Sequence, residues 1–276
     1  YQVVLADELE LPAQSAIAVE ADTGKILYEK DSEKKRDVGG LSTLLTTYLI
    51  FEAIHEKKLS LKDPIKLSEK ALALNDIEGA GTLPMEANQY TVEQLLTALL
   101  VGNSSTAALA LAEKVGGSEK SFVEKMKQKL SEWGIQSPHL INATGLNTQT
   151  ISGDPDGKGD ENQLSAYDIA VIAKHLLQDF PEVTKYTSKP TALFSNTQIE
   201  NPNLMLEGMP NYRSGVDGLR VSNSTKGGIT FAASTTQNGI NMITVVLGVE
   251  AVDGDPYARF VATSSLMNYV VRTFVS

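Results

Sequence analysis

Val38-Gly39-Gly40-Leu41-Ser42-Thr43-Leu44-Leu45-Thr46-Thr47-Tyr48-Leu49-Ile50-Phe51-Glu52-Ala53-Ile54 is the stretch on which the reading of this chain turns. A glycine pair feeds about four turns of helix, at 3.6 residues per turn. Leu41, Leu44, Leu45, Leu49 and Ala53, with Tyr48, Phe51 and Ile54, place apolar side chains around most of its circumference. A helix with no polar face must be wrapped by other elements, so the pattern predicts a central core helix rather than a surface one. Its N-terminus carries unpaired N–H groups and the positive end of the helix dipole. An anion or a developing oxyanion would be favoured there, in a cleft above Gly39 and Gly40. Two glycines also let another backbone or a ligand approach closely.

Upstream, residues 15–20 and 25–29 flank the turn Asp22-Thr23-Gly24 and read as a hairpin, followed by a charged surface loop from Lys30 to Asp37. Downstream, Asp63-Pro64 and the segment to Leu74 give a short strand and a helix, and Asn75 to Gln89 is loop. Thr91 caps a helix to Val101, with Glu93 and Gln94 near the capping-box position. Gly102-Asn103-Ser104-Ser105 leads into a helix from Thr106 to Val115 that stops at Gly116-Gly117, and Ser118 to Trp133 is a third, lysine-rich helix. Asn147 to Gln163 is polar, rich in Gly and Asp, and reads as a long loop. Ser165 caps a helix to Phe180. Strands follow at 191–194, 216–221, 229–236 and 241–249, the last two joined by Asn238-Gly239, and a helix closes the chain from Pro256 to Phe274. This order predicts an α+β fold, an antiparallel sheet covered by N- and C-terminal helices with a helical subdomain at about residues 62–190 inserted between its strands.

The composition narrows the function classes. At 276 residues and 42% hydrophobic content the chain can bury a full core. A net charge of −10 with no basic run argues against nucleic acid. The absence of cysteine excludes disulfides and thiolate metal sites and fits a bacterial extracytoplasmic protein. No apolar run is long enough to span a membrane, and His, Asp and Glu show no metal-ligand spacing, so neither a metal nor a cofactor is expected. The first residue, Tyr1, suggests a mature or trimmed form.

Several segments, in order, carry a resemblance: Ala16-Ile17-Ala18-Val19 with Thr23-Gly24-Lys25-Ile26-Leu27-Tyr28-Glu29-Lys30, then Leu44-Leu45-Thr46-Thr47-Tyr48-Leu49, Ala110-Leu111-Ala112-Glu113-Lys114, Asn142-Ala143-Thr144-Gly145-Leu146, Gly215-Val216-Asp217-Gly218-Leu219 and Pro256-Tyr257-Ala258-Arg259-Phe260. Together they resemble the catalytic domain of low-molecular-weight penicillin-binding proteins, the serine D-alanyl-D-alanine carboxypeptidases of Gram-positive bacteria. The resemblance implies one peptidase domain over residues 1–276, without the family's C-terminal β-domain and membrane-attaching tail. It further implies work on cell-wall peptidoglycan, a location on the bacterial cell surface, and a stem peptide or other D-alanine-terminated peptide as a weak partner.

Three motifs carry that family's chemistry: S-x-x-K, S-x-N and K-T-G. Serine and lysine at i and i+3 share a helix face, so the amine can take the hydroxyl proton during attack. The register set by Leu44-Leu45-Thr46 places Gly40 over the serine and Thr43 over the lysine, which removes both nucleophile and base. Asn103-Ser104-Ser105 falls over S-x-N with Asn103 first and Ser105 last, and a slip of one residue gives Ser104-Ser105-Thr106. K-T-G becomes Arg220-Val221-Ser222, which keeps a cation and loses the hydroxyl and the small glycine. Ser104, Arg220 and Asn223 are the candidate ligand-binding groups. Arg220 has two readings: a cation facing a substrate carboxylate, or an exposed strand arginine paired with Asp217 or another acid of this acidic chain.

Other literal matches read as structure. Ser32-Glu33-Lys34-Lys35 satisfies S-x-x-K inside a charged run and is expected to be a solvated loop; Lys226-Gly227-Gly228 falls on the turn after the K-T-G strand. His55 and His175 lie on helix faces and His139 lies in a loop, with no Ser-His-Asp pattern. Two functions follow: a D-Ala-D-Ala carboxypeptidase-like domain that has lost catalysis at all three motifs, or an active serine-type carboxypeptidase that uses groups outside them.

Overall fold

A computed structural model describes residues 9–153 and 156–275. The elements, in chain order, are β1 (Ala13–Glu20), β2 (Ile26–Lys30), β3 (Arg36–Asp37), a 3-10 turn (Gly39–Ser42), α1 (Thr43–His55), β4 (Pro64–Lys66), α2 (Glu69–Leu74), β5 (Gln89–Thr91), α3 (Val92–Leu100) and α4 (Ser105–Gly116). Then come α5 (Glu119–Glu132), α6 (Thr148–Ser152), β6 (Gln163–Leu164), α7 (Ala166–Asp179), α8 (Thr184–Thr187), β7 (Thr191–Phe194), β8 (Thr197–Glu200), β9 (Val216–Ser224), β10 (Gly228–Gln237), β11 (Ile240–Val249) and α9 (Ala258–Phe274).

The main sheet is antiparallel, five-stranded, and ordered β2-β1-β11-β10-β9, which makes β9 an edge. Both of its faces are buried. Side chains alternate across a strand, so Ile17 and Val19 of β1 enter a core shared with α1, α3, α4, α5 and α7, while Ala16 and Ala18 enter a second core. That second core holds Phe260, Leu266, Met267 and Val270 of α9. The helix lying against β1 and β11 on the first face is α7, and α1 packs on α7 and α4. Leu41, Leu45 and Ile50 are fully buried, as a helix apolar all round requires. Removing each such side chain from water contributes about 1.5–3 kcal/mol.

Local chemistry sets many boundaries. Thr91 Oγ1 accepts the Gln94 N–H at 3.1 Å and Gln94 Oε1 accepts the Thr91 N–H at 2.9 Å, a reciprocal box at the start of α3. Asn238 and Gly239 both take positive φ, 47° and 84°, as the two-residue turn between β10 and β11 demands. Three expectations change. The long loop from Asn147 holds α6, capped by Asn147 Oδ1 on the Gln149 N–H at 2.9 Å. The strand at 191–194 pairs with β8 as a separate hairpin instead of joining the main sheet. The charged run from Lys30 is less solvated than its composition suggests: β3 pairs with β6, Ser32 is buried, and Lys35 Nζ lies 2.5 Å from Asp168.

Candidate active-site cleft

The 3-10 turn before α1 opens onto a cleft of about 860 Å³. Its walls are the segment 78–83, the α3–α4 connection at Gly102, Asn103 and Ser105, the turn 144–147, and β9 from Arg220 to Ser224. Glu200 and Pro202 also line it.

Close backbone approach explains the glycines here. Gly39 has φ +55°, and a Cβ there would lie 2.7 Å from Ser222 Oγ and 2.9 Å from the Asn223 carbonyl. A Cβ on Gly145 would lie 2.2 Å from the Gly39 carbonyl oxygen. Gly145 is held by an Asx-type turn in which Asn142 Oδ1 accepts its N–H at 2.8 Å and Asn142 Nδ2 donates to the Leu146 carbonyl at 2.8 Å. The segment Asn142 to Leu146 thus positions one wall against the start of the core helix. The helix N-terminus is not free: Gly40 N–H donates to Ser222 Oγ at 2.6 Å.

The residues singled out from sequence do not all reach the cleft. Gly40, Asn103, Ser105, Arg220, Val221, Ser222 and Asn223 line it. Thr43 does not: it is buried behind Gly40, with Oγ1 donating to the Gly40 carbonyl at 2.5 Å. Ser104 is also off the wall and unsuited to hold a ligand. It is fully buried, and its Oγ accepts the Ala107 N–H at 3.1 Å as the N-cap of α4. Thr106 is fully buried as well, so of the two registers weighed for the second motif, only Asn103-Ser104-Ser105 puts its outer residues on the cleft wall. Asn103 Nδ2 donates to the Val221 carbonyl at 2.9 Å and ties the α3–α4 connection to β9. Asn223 is exposed, with Oδ1 accepting from Arg259 Nη2 at 2.5 Å.

Arg220 is neither exposed nor paired with Asp217 or any other acid among the described residues. It is 5% exposed, Nη1 donates to the Leu99 carbonyl at 2.6 Å, and Nε has no partner. Burial pushes its guanidinium down to about 10. Asp217 instead accepts the Ser234 hydroxyl at 2.5 Å, and burial raises its carboxyl. Arg259, also pushed down to about 10 by burial, donates through Nη1 to the Ser222 and Thr230 carbonyls at 2.9 and 3.0 Å. Two buried cations therefore flank the stretch of β9 that faces Gly40.

Glu161, in the polar loop, went unrecognised in the sequence. It is 1% exposed, accepting from Ser224 Oγ at 2.7 Å, Asn147 Nδ2 at 2.9 Å and the Thr225 N–H at 3.1 Å. Ser224 Oγ also accepts the Gly227 N–H at 2.8 Å, so this hydroxyl and carboxylate are fully committed to fastening the loop to β9. A carboxylate in the polar run Lys158-Gly159-Asp160-Glu161-Asn162-Gln163 leaves no hydrophobic periodicity by which its burial could be read. Among the described residues no lysine or histidine lines the cleft, and no group of three or more His, Asp or Glu is arranged to hold a metal. His55 pairs with Glu182, His139 with Asp160, and His175 stacks on Trp133 at 4.1 Å.

Comparison with known proteins places this geometry. The profile of the peptidase S11 family, D-alanyl-D-alanine carboxypeptidase, matches residues 2–251. The carboxypeptidase DacF of Bacillus subtilis is 31% identical over 246 residues, 87% of this chain and 58% of DacF. DacA of Haemophilus influenzae is 27% identical over 267 residues, 96% of this chain and 63% of that protein. This chain thus spans about three fifths of the length of these relatives. A peptidoglycan synthesis regulatory factor (PBP3) from Streptococcus pneumoniae superposes with a TM-score of 0.92 at 45% identity, covering 96% of this chain and 73% of that one. Penicillin-binding protein D2 from Listeria monocytogenes, in its cefotaxime-bound form, gives 0.80 at 26% identity, covering 95% and 98%. With the family profile covering most of the chain and the fold superposing on these structures, the chain belongs to the D-alanyl-D-alanine carboxypeptidase family.

Proposed function

We propose that this domain is a non-catalytic member of its family, acting outside the cytoplasm at the bacterial cell wall and holding a D-alanine-terminated peptide without cleaving it. The observation that carries the reading is at the start of α1. Gly40 faces the cleft where a nucleophile would be needed, and Thr43, where the base would be needed, is buried and bonded back to Gly40. Loss of a serine nucleophile alone costs about 10⁶ in turnover. Here the base is absent too. The competing reading, an active enzyme with different groups, finds no lysine or histidine base among the described residues lining the cleft, and the Ser224–Glu161 pair that does line it is already committed to the loop.

What the cleft retains is a local cationic site at its β9 wall, set apart from the acids Glu78, Glu161 and Glu200 that also line it. Arg220 on its β9 wall and Arg259 behind that wall have no acidic partner among the described residues, so the terminal carboxylate of a peptide is the natural guest. Binding is expected to be weak and to fall with added salt.

The deciding experiment is intact-mass measurement after incubation with benzylpenicillin, which traps active members by acylating the serine. No mass increase is expected. A penicilloyl adduct on any cleft residue would sink the proposal. Calorimetric titration with a D-Ala-D-Ala peptide tests the binding half separately.

A further inference from the structure

We infer that Ser222 decides what this cleft can accept, because its hydroxyl occupies the oxyanion position over the start of the core helix. The inference rests on the carboxypeptidase-type reading of the cleft and adds to it a lesion independent of the missing nucleophile. Donors that stabilise an acyl oxyanion work at 2.7–3.1 Å from the oxygen, as a general rule. Gly40 N–H has no partner within its helix, points out of the helix N-terminus, and is the donor available for that task. Ser222 Oγ already sits 2.6 Å from it. A carbonyl oxygen turning into an oxyanion would need the same volume and the same proton, so the two cannot coexist.

The backbone that carries this hydroxyl is fixed, so only rotation of the Ser222 side chain, with loss of its bond to the Gly40 N–H, would clear the position. The Ser222 carbonyl accepts from Thr230 Oγ1 at 2.9 Å and from Arg259 Nη1 at 2.9 Å, which fixes that backbone unit of β9 from two sides. On the opposite side the fit is equally tight. A Cβ on Gly40 would meet Ser222 Oγ at 3.2 Å and Ser222 Cβ at 3.6 Å. The glycine pair and Ser222 are therefore one packing unit. The ligands this cleft admits are those that leave the helix N-terminus untouched. A carboxylate resting on the β9 side qualifies, whereas an acylating or tetrahedral group at Gly40 does not.

The test has two parts. In the first, benzylpenicillin acylation is followed by mass spectrometry in Gly40→Ser/Thr43→Lys and in the same protein carrying Ser222→Gly. One oxyanion donor is worth about 10²–10³ in rate. Clearing it should therefore speed acylation by about 100-fold or more. Equal rates in the two proteins overturn the inference. In the second part, which needs no catalysis, the Gly40 amide is followed by ¹H–¹⁵N NMR in the parent and in Ser222→Gly, with inorganic phosphate as the anion probe. The expected result is an upfield move of the Gly40 proton on substitution and a phosphate-dependent shift only in the variant. A Gly40 resonance unchanged by the substitution, or one that responds to phosphate in the parent, overturns the inference even if neither engineered protein acylates. A penicilloyl adduct on the parent chain would instead overturn the non-catalytic reading.

Discussion

Replacing Arg220 with methionine should make the protein more stable. The guanidinium is 5% exposed, has no carboxylate partner among the described residues, and leaves Nε without an acceptor. Burial pushes it down to about 10, a fall that reflects how far desolvation disfavours the charged form. At 1.36 kcal/mol per pH unit this is about 3 kcal/mol, an order-of-magnitude figure. Against this stand one hydrogen bond to the Leu99 carbonyl and the favourable placement of a cation at the C-terminal turn of α3. Leaving that carbonyl unpaired costs about 1–3 kcal/mol, and the lost dipole interaction a few tenths more. Methionine fills much of the volume with no charge to desolvate. The balance is a gain of about 1 kcal/mol, read as a higher urea midpoint by circular dichroism at pH 7. A loss of more than about 1 kcal/mol would show that Arg220 is compensated by something the geometry does not reveal, and the reasoning would fail. The same variant should bind a D-alanine-terminated peptide more weakly. Stability gained and binding lost together would mark the arginine as retained for its ligand.

Gly145→Ala should destabilise by about 2–4 kcal/mol, because its Cβ would lie 2.2 Å from the Gly39 carbonyl at φ +78°. Gly153→Ala, at φ +69° with nothing within 4 Å, is the control and should lose only about 1 kcal/mol; equal losses in thermal or urea unfolding would contradict the close-approach argument. Tyr48 donates to Asp179 at 2.6 Å, and burial, followed by that carboxylate, holds its phenol well above the usual tyrosine range. Its contribution is therefore complete below about pH 10 and is lost as pH rises toward the higher folded value. Tyr48→Phe should cost about 1–3 kcal/mol at pH 7 and remove one proton's worth of slope from the alkaline limb of stability against pH. An unchanged alkaline slope would show that Tyr48 does not carry it.

Features written in short-range patterns could be read from the chain: the apolar run of α1, the Thr91–Gln94 box and the Asn238-Gly239 turn each depend on residues within a few positions. The cleft was legible only as a set of motif positions. Its decisive contacts join Gly40 to Ser222 and Arg220 to Leu99, separations of 182 and 121 residues, and no local pattern encodes such distances. Ser104 shows the limit from the other side. As a serine beside Asn103 it reads as a ligand group, yet the same residue type is the preferred helix cap, and the cap prevails. The short helix α6 was missed because it buries no residue and so carries no apolar stripe.

The interlocking of Gly39, Gly40 and Ser222 has a consequence for mutational history. Gly40→Ser alone forces a Cβ to 3.2 Å from Ser222 Oγ, tighter than ordinary van der Waals contact. Ser222→Gly alone strips the Gly40 N–H of its acceptor and loosens an edge strand. Ser222→Gly removes the crowding that Gly40→Ser meets, while its own cost at the Gly40 N–H remains, so the effect of a change at position 40 depends on the residue at position 222. On the non-catalytic reading proposed above, a side chain at position 40 is therefore accommodated more easily once position 222 is glycine, so packing alone favours one order of the two changes.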